Sequence, residues 1–163
     1  MPATYEPIAT TTLSAGTASV TFSSIPATYT DLVLVMRGTA ASLSTDSIDM
    51  QFNGDTGANY SYTVLSGNGS TATSGRGTTT TMIAGALITS SEQVNNIWNI
   101  LNYSNTTTRK SVLIRGNIPG ALVRTAVGSW RSTSAINAIK LYCDTAQNFA
   151  TGCTFTLYGI KAA

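Results

Sequence analysis

Asp31-Leu32-Val33-Leu34-Val35-Met36-Arg37 is a run of five apolar residues closed at each end by a charge. Five residues is the length of a strand and falls far short of the ~20 that a membrane-spanning helix needs. Both faces of such a strand are apolar, which predicts a central place in a sheet with cover on both sides. Outward from this run the pattern becomes strict alternation. Ala18, Val20 and Phe22 alternate with Thr17, Ser19 and Thr21, and Ile48, Met50 and Phe52 alternate with Asp49 and Gln51. A period of two presents one face to a core and the other to water. The same reading predicts strands near 59–65, 79–88, 94–103, 109–117, 121–131, 135–143 and 153–160, and no 3.6-residue period persists beyond two turns.

Turn formers separate these segments. Asn53-Gly54-Asp55-Thr56-Gly57 supplies residues that accept positive φ, and Asn117-Ile118-Pro119-Gly120 interrupts the apolar alternation. The Gly/Ser/Thr-rich stretch from Ser66 to Gly77 reads as a mobile surface loop. About ten short strands in 163 residues predict an all-β fold, an antiparallel two-sheet sandwich, with the jelly roll ahead of an immunoglobulin-type sandwich. Residues 13–163 form one domain on this reading. Residues 1–12, carrying Pro2 and Pro7 around Tyr5 and Ile8, are either an extended arm or the first strand.

Composition narrows the function. The chain holds 28 threonines and 18 serines while only 10 % of it is charged, and its 42 % hydrophobic content is enough for a folded core. The net charge of +2 comes from basic and acidic residues scattered singly, so no stripe exists to neutralise a row of phosphates, and nucleic-acid binding is not expected. The opening residues lack the basic and apolar regions of a signal peptide, so neither secretion by that route nor a membrane span is expected.

The chain contains no histidine. That removes Ser-His-Asp and Cys-His catalysis and His-ligated zinc. Asp46, Asp49 and Asp55 form the one local acidic cluster, which read as solvated strand and turn acids rather than as a glycosidase pair or a calcium site. No catalytic residue, metal or cofactor is expected, and enzymatic activity is not. Trp98, between Ile97 and Ile100, reads as core. Trp130, followed by Arg131 at a strand end, is open between core and contact surface. Cys143 and Cys153 flank a turn in phase with the core positions around them. Either both are small buried apolar residues or, across a hairpin, they pair as a disulfide, the former agreeing with assembly in a reducing cytoplasm.

Six segments together resemble a family of tailed-bacteriophage virion proteins, including those of cyanobacterial phages. They are Tyr5–Leu13, Phe22–Val35, Phe52–Tyr62, Asn102–Thr108, Gly128–Arg131 with Ala135–Asn137, and Phe155–Lys161. The resemblance implies a structural component of the particle and brings no catalytic residues. Cys153 stands where such proteins carry Ser or Thr, so a disulfide would be peculiar to this chain.

The expectation is therefore a non-enzymatic decoration (cement) protein, assembled in the host cytoplasm. As a homotrimer it would bind the major capsid protein on the outside of a phage head and stabilise capsomer contacts, with Tyr5, Glu6, Ile8, Trp130 and Arg131 as interface candidates. The alternative is a tail-fibre or receptor-binding module that recognises host glycans through Trp130 and the Ser66–Gly77 segment.

Overall fold

The computed structural model describes residues 4–42, 45–145 and 147–161. Among these the chain forms twelve strands and no helix: β1 (Tyr5–Thr12), β2 (Ser19–Phe22), β3 (Asp31–Gly38), β4 (Asp46–Phe52), β5 (Tyr60–Gly67), β6 (Ala72–Thr80), β7 (Ile83–Ile88), β8 (Val94–Leu101), β9 (Lys110–Ile118), β10 (Leu122–Trp130), β11 (Ile139–Cys143) and β12 (Thr154–Ile160). They build an antiparallel eight-stranded sheet, β1-β12-β3-β8-β9-β10-β5-β6, and a four-stranded sheet, β2-β11-β4-β7. Setting aside β5, β6, β9 and β10 leaves β1-β12-β3-β8 facing β2-β11-β4-β7, the double Greek key of a jelly roll. The two hairpins β5–β6 and β9–β10 join one edge of the larger sheet and extend it by four strands.

The inward positions of the alternating pattern make the core. Leu32, Leu34, Met36, Trp98, Ile114, Phe155 and Leu157 of the large sheet meet Val20, Phe22, Ile48, Met50, Phe52, Ile83, Ile139 and Leu141 of the small one, all buried. Each such side chain contributes ~1.5–3 kcal/mol through removal from water. The small sheet is half as wide, so its edge strand β7 also lies over the start of the extension. That approach depends on missing side chains: a Cβ at Gly128 of β10 would fall onto Ile83, and one at Gly85 of β7 onto Ala126.

The structure corrects several expectations. β3 is central, but among the described residues no second layer lies over its outer face; Val33 is 7 % exposed because its register partners Tyr158 and Asn99 flank it. Segment 79–88 is two strands, broken where Thr80 Oγ1 donates to Met82 O at 2.7 Å. The Ser66–Gly77 stretch is no loop. It closes a hairpin in which Leu65 pairs with Ser74 and Thr63 with Arg76, around a tight turn where Asn68 Oδ1 accepts from the Ser70 and Thr71 amides. Of the two readings for the N-terminus, Tyr5–Thr12 is the edge strand paired to β12, with a bulge between Pro7 and Ala9; residues 1–3, including Pro2, lie outside the described residues.

Candidate functional site: the outer face of the large sheet

Several connecting segments meet at one end of the sandwich, where they spend their polar groups on one another. Asn53, at φ 53°, donates from Nδ2 to Ala135 O at 2.8 Å, and its Oδ1 accepts from the amides of Asn137 and Ala138 at 2.9 and 3.1 Å. Trp130 Nε1 donates to Asp55 Oδ2 at 2.7 Å, and the Gly57 amide and Asn59 Nδ2 donate to the same carboxylate. Burial works to raise the Asp55 pKa, but these three bonds outweigh it and hold it below the ordinary value. Ile25 N donates to Asn137 O, Ile136 N to Tyr103 O, and the Tyr103 hydroxyl to Pro26 O. Four connections, 23–30, 53–59, 102–109 and 131–138, are thereby tied together.

Trp130 is core. It is 3 % exposed, with Phe52 at 5.6 Å and Tyr60 stacked at 6.3 Å between ring centroids. Trp98 is fully buried. Neither indole offers a platform for a sugar ring. Arg131 is half-buried, and its amide donates to Asn59 O at 2.8 Å. Lys110, which the sequence reading passed over, is buried at the same end; its ammonium donates to Thr108 O at 2.6 Å and Thr133 O at 3.1 Å, and burial lowers its pKa.

Asp55 is a half-exposed turn acid as its pattern predicts, but Asp46 and Asp49 are not solvated. Asp46 is buried, accepting from the Ser47 amide and from Thr145. Asp49 points away from the core on β4 yet is 0 % exposed, set in register between Tyr142 of β11 and Ala84 of β7. Its Oδ1 accepts from Ser47 at 3.3 Å, while Oδ2 has no partner. Burial, with Asp144 and Asp46 adding repulsion, pushes its pKa up to about 7. A carboxyl with no exposed surface meets no substrate. Among the described residues no three His, Cys, Asp or Glu are grouped to hold a metal ion.

Cys143 and Cys153 are free and buried. They do not face each other across a hairpin, because β11 belongs to the small sheet and β12 to the large one. Burial pushes the Cys143 pKa to about 12. At the β1 edge, Tyr5 is 57 % exposed with its ring edge-on to Tyr158, Ile8 is half-buried against the core, and Glu6 is spent on Lys161 at 2.8 Å and the Tyr29 hydroxyl at 3.3 Å. The structure does not bring the predicted interface residues together: β1 and β10 stand five strands apart, roughly 24 Å at ~4.8 Å per strand.

What the fold does assemble is the outer face of the extension. Of six large hydrophobic side chains left exposed among the described residues, four project here, Leu65, Leu113, Val123 and Val127, and Leu101 stands beside them at the end of β8. Register sets them in rows across the strands. Leu113 stands between Asn99 and Val127, and Val127 beside Thr63, which Arg76 faces from β6. In the next row Arg115 stands between Ile97 and Thr125, with Leu65 beyond. On the other flank Ser129 stands between Ser61 and Ser111. The small serines leave a shallow depression of about 350 Å³ that Arg76 and Val127 border. A second, of about 300 Å³, lies around Arg115, Asn95 and Asn117.

No carboxylate partners the arginines of this face among the described residues, where Lys161–Glu6 is the ion pair formed. Arg37 donates to Gln93 Oε1 at 2.6 and 2.9 Å, Arg115 reaches Asn99 Oδ1 at 3.5 Å, and Arg76 has no side-chain partner. Of the acids at the margins of the sheet, Glu92 is exposed and adjoins Gln93 before β8, and Asp31 at the far corner accepts from the Asn102 amide at 2.6 Å. Parity alone places these residues outward; only the strand order makes them neighbours.

No protein-family model matches this chain, and no curated protein does. Among solved structures it is similar to a marine PL-14 alginate lyase from Aplysia kurodai, at 7 % identity and a TM-score of 0.32 over 85 % of this chain and 72 % of the other. It is also similar to the alginate lyase Aly36B in complex with an alginate tetrasaccharide, at 8 % identity and a TM-score of 0.29 over 94 % and 80 %. Likeness at that level does not bear on what this chain does.

Proposed function

We propose that this protein is a non-enzymatic phage virion protein that decorates the outside of the head, binding the major capsid protein and stabilising capsomer contacts, as a homotrimer. The observation that carries the reading is the outer face of the extension: four exposed aliphatic side chains on adjacent strands, with Leu101 of β8 beside them. An exposed apolar patch of this kind marks an interaction surface. The resemblance of the six segments to tailed-phage virion proteins adds the setting, and the acids buried or bonded inside the fold leave little for chemistry at the surface. The tail-fibre reading loses its named sugar platform, since Trp130 is buried, and its flexible loop, since 66–77 is a hairpin.

Copy number and position test this directly. Hundreds of copies per particle, seen as density on the outside of the head, are expected; a few copies at the tail tip would establish the alternative, and absence from purified particles would overturn both.

A further inference from the structure

Three features converge on the extension. Its outer face is apolar at Leu113, Val127 and Leu65; it carries the guanidiniums of Arg76 and Arg115 with no carboxylate paired to them among the described residues; and its backbone is held by paired strands around shallow depressions. We propose that this face is where the partner docks, and that the partner is a protein surface with an apolar centre flanked by carboxylates, one opposite Arg76 and one opposite Arg115. The proposal rests on the decoration reading for the partner's identity, and it names the contact and its chemistry.

Charge decides among the occupants. A second copy laid face to face would leave both guanidiniums without a carboxylate and bring four like charges into one contact, because a two-fold contact pairs the same patch with itself and the patch has no acids to offer. A nucleic acid would meet two well-separated arginines divided by leucine and valine, too few phosphate contacts for useful affinity. A glycan would find little aromatic platform: both tryptophans are buried, Tyr62 lines the depression beside Arg76 but is packed against the core, and Tyr5 and Tyr158 lie at the opposite edge of the sheet. A protein surface uses all three features. Aliphatic side chains supply the dry centre, and arginine is enriched in interfaces because its planar fork grips a carboxylate with two bonds. The serine-lined depression beside Arg76 gives a carboxylate room to enter and hydroxyls to complete its hydrogen bonds.

The test measures co-sedimentation of the full chain with phage heads that lack it. Wild type and Lys140→Glu, a charge reversal on the outer side of the small sheet, are expected to bind alike. Arg76→Glu with Arg115→Glu is expected to weaken binding at least tenfold, as is Leu113→Asp, with circular dichroism confirming that each variant folds. Raising salt from 50 to 300 mM is expected to weaken wild type and to leave the double arginine variant little changed. Wild type that fails to bind heads would overturn the decoration reading and this inference with it. Wild type that binds while the face variants bind equally well would overturn this inference alone. Self-association, DNA binding or oligosaccharide binding that Arg76→Glu with Arg115→Glu abolishes while head binding survives would also overturn it, by assigning the face to a different occupant.

Discussion

The loops that close one end of the sandwich and the outer face of the extension treat their polar groups in opposite ways. At the loop end Asn53, Asp55, Trp130 and Lys110 direct their polar atoms inward, and each finds partners across chain separations as large as 85 residues. On the extension Arg76 faces water with no side-chain partner, beside leucine and valine that a folded monomer has no need to expose. Polarity satisfied within the chain holds the fold, and polarity left over, mixed with exposed aliphatic surface, is available to something outside it.

The two faces of β3 make the same contrast within one strand, and with the largest expected effect. Leu34 is fully buried between the sheets, whereas Val33 stands on the outer side, where no second layer lies among the described residues. Leu34→Asp places an unpaired carboxylate in the core at a cost of several kcal/mol, enough to use up much of a domain's stability, and should give insoluble or unfolded protein. Val33→Asp should cost about half as much and remain foldable, because its carboxylate can turn to solvent past Tyr158 and Asn99. Expression and urea melts compare them. Equal damage from both would mean that another layer covers β3 in solution.

Asp49 sets a buried acid against the exposed bases of the extension. Its pKa in the fold is raised to about 7 from 3.8, first by burial and then by Asp144, opposed by the bond from Ser47; Asp46 adds a smaller push upward, and Tyr142 stands beside it as a neutral phenol. The native state therefore holds a proton that the unfolded chain releases. Its stabilising contribution is complete below about pH 4, falls as pH rises toward 7 and is gone above, a loss on the order of a few kcal/mol. Asp49→Asn should flatten that slope and make the protein more stable than wild type at pH 8. Urea midpoints at pH 5 and pH 8 read it out, and a wild type equally stable at both would show that Asp49 is hydrated and ionised.

How much of this was legible beforehand follows from what periodicity can carry. Alternation around Leu32–Met36 and Ile48–Phe52 determines an all-β sandwich, because inward positions must be apolar wherever a core exists. β6 escaped notice since both of its faces are exposed; it has no apolar period, and its place comes from the backbone ladder with β5. The pattern misleads at Asp49 for a different reason: outward on a strand need not mean solvated when the neighbours in register cover the position. Trp130 meets Asp55 across 75 residues, and Arg115 comes beside Thr125 and Ile97 only through the strand order. Parity is written locally, while adjacency on a sheet is a property of the whole topology. The candidate docking face was thus present in the sequence as single residues and absent from it as a patch.

The sharpest small-scale comparison replaces one polar residue in each region. Asn53 makes three hydrogen bonds that join 53–59 to 131–138, and it occupies a left-handed backbone conformation that asparagine tolerates better than alanine. Asn53→Ala removes the acceptor from two amides and the donor from a carbonyl, and should destabilise by about 2 kcal/mol. Arg115→Ala removes a larger side chain and a charge, but its single contact to Asn99 is long and exposed, so stability should move by less than about 0.5 kcal/mol. Denaturant melts decide the first half and head binding the second: Asn53→Ala should bind normally wherever it is folded, while Arg115→Ala should be as stable as wild type and bind more weakly. If Arg115→Ala instead loses stability and keeps its binding, the extension belongs with the loop end as part of the frame, and the line drawn between the two regions is in the wrong place.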